Sequence, residues 1–142
     1  MHNRKAMIAM SGGVDSSVAA HLMQEAGYEC AGAMMRLYDH PVTENTPADS
    51  AADARAVADK LSIPFYLLDA RAEFDSHVIQ NFIGCYECGT TPNPCIQCNR
   101  HLKFDHFLRQ AELLGYDTIV TGHYARVRYD ETLGLSAAIA AN

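Results

Sequence analysis

The sequence predicts an α/β fold: a mostly parallel sheet with helices on both faces. Three observations carry that expectation. Four short apolar runs of strand length recur along the chain. The segments between them place apolar residues at helical spacing, with glycines and prolines at the changes of period. Strands that alternate with helices in this way build parallel sheets, because each crossover returns the chain to the same end of the sheet. At 142 residues the chain fits one domain with a sizeable core, and 49% hydrophobic with 20% charged residues is ordinary for a globular protein.

Lys5 to Met10 (KAMIAM) reads as a buried strand that ends in Ser11-Gly12-Gly13. From Ser16 to Ala26, residues Val18, Ala19, Leu22, Met23 and Ala26 keep helical spacing until Gly27 supplies the stop. Glu29 to Met35 is the second strand. Leu37 to Asp49 holds two prolines, three acids and two threonines and reads as a loop. Ser50 to Leu61 predicts a helix with Ala54, Val57, Ala58 and Leu61 as its stripe. Ser50 and Asp53 resemble a capping box with Asp in the usual Glu place. Pro64 to Asp69 is the third strand, and Ala72 to Ile83 a helix. Gly84 to Pro94 is a loop rich in Cys, Gly and Pro. The next helix lines up Phe104, Phe107, Leu108, Ala111 and Leu114 before Gly115, and Asp117 to Thr121 is the fourth strand. No internal repeat is visible. Ser136 to Asn142 (SAAIAAN) is small and featureless, and the chain is expected to be cut short there.

The formal net charge of −6 argues against a general nucleic-acid binder. The charge is uneven. Nine acids between Asp39 and Glu87 face only Arg55, Lys60 and Arg71. From Asn99 to Arg128, Arg100, Lys103, Arg109, Arg126 and Arg128 outnumber Asp105, Glu112 and Asp117, which leaves either a phosphate-facing patch or a solvated helix face. No apolar run approaches the ~20 residues that span a bilayer. The apolar stretch after the basic start is too short for a secretory signal, so a cytoplasmic location without a membrane partner is expected.

The strongest local signal is Ser11-Gly12-Gly13-Val14-Asp15-Ser16-Ser17 between a strand and a helix. Two glycines let the backbone bend and approach a ligand, and the helix start offers unpaired N–H groups to an anion. Serine hydroxyls add donors. Asp15 beside a phosphate makes sense as a helix cap or as a ligand of Mg²⁺. The pattern is neither a Walker loop nor G-x-G-x-x-G. On spacing alone an ordinary strand–turn–helix corner is the competing reading.

Four of the five cysteines, Cys85, Cys88, Cys95 and Cys98, fall within fourteen residues. Two C-x2-C pairs can hold zinc or an iron–sulfur cluster, though six intervening residues is short for a zinc ribbon. The other reading is that Cys98 is a working thiol. It lies near a helix start with Arg100 and Lys103, and both features favour a thiolate.

The string S-G-G-V-D-S-S resembles the PP-loop of enzymes that cleave ATP to AMP and pyrophosphate. Thr91 to Phe104 (TPNPCIQCNRHLKF) resembles T-P-N-P-C-x-x-C-N-x-x-x-K-F of bacterial-type tRNA-specific 2-thiouridylases. Thr121 to Arg126 (TGHYAR) matches the same family, and the three strings keep its order from about Lys5 to about Tyr129. The resemblance implies a Rossmann-like PP-loop fold of the adenine nucleotide alpha-hydrolase type, in residues 1–135, followed by tRNA-binding and β-barrel domains absent here. It implies 2-thiolation of the wobble uridine of tRNA: adenylation of uridine O2 by ATP with Mg²⁺, then sulfur transfer from a cysteine persulfide loaded by a sulfur-relay donor protein. Ala9, Met10, Ser11, Gly12, Gly13, Val14, Asp15 and Ser16 then fall on the ATP loop, and Met35 and Gly122 on further nucleotide contacts. Asn93, Pro94 and Cys95 fall on the target-base segment, and Cys98 on the nucleophile. Arg126 faces either phosphate or solvent, and His123 is a packed histidine as readily as a site residue.

The sequence departs from the family at three places. Cys95 stands where some relatives carry Asp, Ala9 stands where Gly is frequent, and the expected second cysteine has no match before Asn142. Two other readings stay open. One is a PP-loop thiolase of another base that holds a metal or iron–sulfur cluster on the four cysteines. The other is a nucleotide-binding fragment without catalysis.

Overall fold

The computed structural model describes residues 4–39, 47–132 and 134–140, with the backbone alone for residues 47–49, 126–128, 130 and 135–140. In chain order the elements are β1 (Lys5–Ala9), α1 (Val14–Glu25), β2 (Glu29–Arg36), α2 (Pro47–Lys60) and β3 (Phe65–Asp69). Two composite helices follow. The helix α3, residues 71–87, runs through Arg71–Phe74, a π-helical stretch Asp75–Ile79 and Gln80–Glu87. The helix α4, residues 94–113, runs through Pro94–Gln97, a π-helical stretch Cys98–His106 and Phe107–Leu113. The strands β4 (Thr118–Val120), β5 (Ala125–Asp130) and β6 (Leu135–Ala140) complete the order.

The first four strands form one sheet in the order β3-β2-β1-β4, with every neighbour parallel. Alternation along β1 sends successive side chains to opposite faces. Ala6, Ile8 and Met10 pack with Ala20 of α1 and with Ala54 and Ala58 of α2. Met7 packs with Ala31, Ala33, Leu68 and, from α4, Phe107 and Ala111 on the other face. Both faces are thus covered, as the apolar runs predict. The chain builds outward from β1 to β2 and β3, then returns to the far side of β1 to lay down β4. That reversal leaves a crevice at the carboxyl ends of β1 and β4, the place where open α/β sheets bind ligands.

A third, smaller core lies beyond the sheet's carboxyl edge. Ala70, Val78 and Leu102 are buried together, with Met35, Leu37, Phe74 and Cys98 packed against them. The helices α3 and α4 meet there. The rings of His77 and His101 stack with centroids 4.4 Å apart, and His106 Nδ1 lies 3.4 Å from Glu73 Oε1.

Four expectations need correction. The second helix starts at Pro47, so Ser50 and Asp53 lie inside it and make no capping box. The loop expected from Leu37 to Asp49 gives way to α2 at Pro47, and residues 40–46 lie outside the described residues. The helix α3 continues through Cys85 to Glu87 instead of yielding to a loop at Gly84. The segment read as featureless pairs antiparallel with β5, from Asp130↔Leu135 to Ala125↔Ala140. Alanine has low strand propensity, and the partner's ladder supplies the order that residues 136–140 do not encode alone. The expected boundary at residue 135 therefore falls within a hairpin.

Candidate functional site

The carboxyl ends of β1 and β2 and the segment after β4 open into a cavity of about 610 Å³. The turn after β1 forms its floor. Gly12 has φ +80, a left-handed conformation that only glycine adopts without strain. A Cβ there would also sit 2.9 Å from the Ser50 carbonyl oxygen and 3.2 Å from Asp53 Cβ. The turn is thereby pressed against α2. Gly122, after β4, comes as close to α1: its Cβ would lie 3.1 Å from the Ser16 nitrogen.

Gly13 is the N-cap of α1 and makes no side-chain cap bond. The Ser17 and Ser16 hydroxyls donate to the Gly13 carbonyl at 2.7 and 3.3 Å, and the Ser11 N–H donates to Ser16 Oγ at 3.3 Å. These serines close the loop on itself, a structural duty beyond the donor role expected of them. Asp15 is no cap either. It lies in the first turn of α1 and accepts a hydrogen bond from the Tyr124 hydroxyl at 2.7 Å. That bond raises the Tyr124 phenol above its ordinary value. The backbone N–H groups at the start of α1 have no carbonyl four residues back, which leaves an anion-seeking end at the cavity.

Met34, Met35, Leu37 and Tyr38 form an apolar side wall. From α4, Cys98, Lys103 and Phe107 form the opposing one, and Thr121, Gly122 and His123 complete the rim. The thiol expected to work thus shares a cavity with the glycine turn. Its electrostatics differ from the expectation. Burial is the main influence and pushes the Cys98 thiol up; the Lys103 ammonium opposes it and Cys95 adds to it. The reason is position: α4 begins at Pro94, so Cys98 sits in the second turn against the small core and away from the exposed helix end.

Residues 4–141 match the family model described as tRNA methyl transferase HUP domain. The chain belongs to that family. It is 49% identical over 137 residues to the tRNA-specific 2-thiouridylase MnmA of Clostridioides difficile, covering 93% of this chain and 38% of the relative. It is 48% identical over 135 residues to the enzyme of that name from Thermus thermophilus, covering 87% of this chain and 37% of the relative. The chain therefore spans less than two fifths of the length of these relatives. Solved structures share the fold at low identity. A predicted tRNA methyltransferase subunit from Methanocaldococcus jannaschii superposes with a TM-score of 0.53 at 19% identity, over 93% of this chain and 57% of that one. A glutamine-dependent NAD⁺ synthetase from Acinetobacter baumannii, solved with ADP, gives 0.56 at 17%, over 82% and 21%.

Within this HUP domain the expected site residues divide. Ala9, Met10, Ser11, Asp15, Ser16, Met35, Cys98 and Gly122 line the cavity. Gly12, Gly13 and Val14 shape the turn and cap beside it. Asn93, Pro94 and Cys95 lie at the start of α4 and are not lining residues. Asn93 Oδ1 accepts from the Ile96 N–H at 3.3 Å and Pro94 takes the first helical position, so both set where α4 begins. The side chain of Arg126 is outside the described residues. Among the described residues, no three or more of His, Cys, Asp and Glu are grouped so as to hold a metal ion. Sequence reasoning missed Ala33, Met34, Leu37, Tyr38, Ser50, Phe107 and Thr121 as lining residues. Thr121 sits in a recognised string and was within reach. Tyr38 and Ser50 carry no local signal.

Proposed function

We propose that this domain binds ATP and, in the whole protein, thiolates C2 of the wobble uridine of tRNA. The single observation that carries the reading is the shared cavity of the glycine turn and Cys98. The turn fits a phosphate chain: its backbone is held left-handed at Gly12, side chains are absent where α2 presses closest, and the start of α1 supplies N–H donors. The carboxylate of Asp15 at the same end fits a ligand of a nucleotide-bound Mg²⁺. When bound, ATP turns the uridine oxygen into an AMP leaving group.

The residues of the chain supply the rest. Met34, Met35 and Leu37 offer an apolar bed for an adenine ring. Cys98 is the nucleophilic thiol beside C2 of a base extruded from its stack; the persulfide loaded by a relay protein sits on a second cysteine of the whole protein, and a disulfide between the two cysteines forms as the thiouridine is released. The nucleotide-binding unit is assigned to the four-stranded sheet and its helices within residues 1–135, with the β5–β6 hairpin following it, and the place of action is the cytoplasm, where tRNA is modified. No helix among the described residues is long and apolar enough to cross a membrane.

The test is tRNA-dependent release of pyrophosphate from ATP, followed by detection of 2-thiouridine, with Cys98→Ser as the variant. The expected result is retained ATP binding and loss of thiouridine; thiouridine formed at the normal rate by the variant ends the proposal.

A further inference from the structure

The proposed chemistry needs sulfur as an anion, and the surroundings of Cys98 resist that. Burial raises the thiol and Lys103 only partly offsets it. The nucleophile is the thiolate, so a neighbouring group must take the proton. His123 lines the same cavity. Its Nδ1 is 2.7 Å from Thr121 Oγ1, and its ring packs on Phe104 with centroids 5.6 Å apart. In the tautomer that donates Nδ1–H to Thr121, the lone pair lies on Nε2. Partial burial, with the Lys103 charge adding to it, lowers the imidazole pKa, so the ring is a neutral acceptor near pH 7.

The winding of α4 explains why Cys98 and Lys103 both reach this cavity. Its π-helical stretch Cys98–His106 bonds residues five apart, bringing Cys98 and Lys103 toward one face. The next residue, Phe104, touches the His123 ring. The other titratable groups on the cavity are Asp15 from α1 and Tyr38 after β2; Tyr124 beside His123 is turned to Asp15.

From this arrangement we infer that His123 is a catalytic base that takes the proton of the Cys98 thiol, directly or through one water, with Thr121 holding its ring and Lys103 stabilising the thiolate. The S–H bond breaks, its electron pair stays on sulfur, and the proton passes to imidazole nitrogen. The inference rests on the reading of Cys98 as the working thiol.

The test follows iodoacetamide alkylation of Cys98 against pH, by peptide-resolved mass spectrometry, in the full chain carrying Cys95→Ser. His123→Gln keeps a hydrogen-bonding side chain near Thr121 but accepts no proton. It is expected to slow alkylation near neutral pH about tenfold and to move the profile upward. Superimposable profiles overturn the inference. An NMR titration of the His123 ring gives a second reading on folded protein. Because Cys98 is still a thiol where the ring titrates, its alkylation rate is expected to rise with the His123 midpoint as the neutral imidazole forms; a rate that rises only well above that midpoint, as free thiolate appears, overturns the inference. Neither measurement uses ATP or tRNA. Failure of the thiolation reading, with His123-dependent alkylation intact, is therefore told apart from failure of this one.

Discussion

The turn between β1 and α1 and the helix α4 line one cavity, yet they are built on opposite principles. The turn offers backbone. Its side chains are small, its two serines bind its own carbonyl, and its geometry depends on the absence of a Cβ at Gly12. The helix offers side chains, a thiol and an ammonium, aimed by a π-helical winding and seated on a core of three buried residues. A backbone site fails when atoms are added; a side-chain site fails when atoms are removed or its footing shifts. Substitutions on the two walls therefore have different signatures.

The largest effect is expected on the helical wall's footing. Leu102 is fully buried between Ala70 and Val78. Leu102→Ala removes most of the one large side chain in that trio, and partial collapse around the void sets a cost of about 2–5 kcal/mol. Urea unfolding checks it. If the walls are as separate as their cores, nucleotide affinity of the still-folded variant changes little while Cys98 alkylates faster, since its packing against that core is loosened. A parallel loss of nucleotide affinity would mean that one core serves both walls.

Gly12→Ala tests the other wall. A Cβ at φ +80 is strained, and 2.9 Å from the Ser50 oxygen it meets backbone that cannot swing aside. Destabilisation of about 1–3 kcal/mol is expected. ATP binding by titration calorimetry should weaken with it, with Cys98 alkylation nearly unchanged. A variant as stable as the original, with full ATP affinity, would show that the turn relaxes freely and would remove the contrast between the walls.

The same contrast decides how much could be read from the chain. The turn is local: strand, glycines and helix start lie within a dozen residues, and the alternation of Ala6, Met7, Ile8 forecasts both the strand and its two buried faces. The string singled out Cys98, which the fold brings to the cavity, but it did not foretell the thiol's surroundings. Proximity to a helix start and to two cations pointed to a low thiol pKa, whereas tertiary packing buries Cys98 against Leu102 and its neighbours and outweighs Lys103. The π-helical winding that turns Lys103 toward the cavity has no evident signature in residue spacing. Nor has β6, whose order comes from pairing with β5.

The smallest effect joins the turn to the segment after β4. The Tyr124 hydroxyl donates to Asp15, and ionising the phenol would set two negative charges side by side. The hydrogen bond, with the charge repulsion, therefore raises the Tyr124 titration. Asp15→Asn removes the negative acceptor, and the midpoint, followed by NMR of the ring, should fall toward the ordinary phenol value. The sign for stability follows. The folded chain holds this proton to higher pH than the unfolded chain, so what the contact contributes is present below the unfolded phenol's range and is lost as pH rises through the folded one. Both groups are exposed, so salt should shrink the shift. If the midpoint stays put in the Asn variant, the rim tyrosine is not tied to α1, and the backbone wall ends at Gly122.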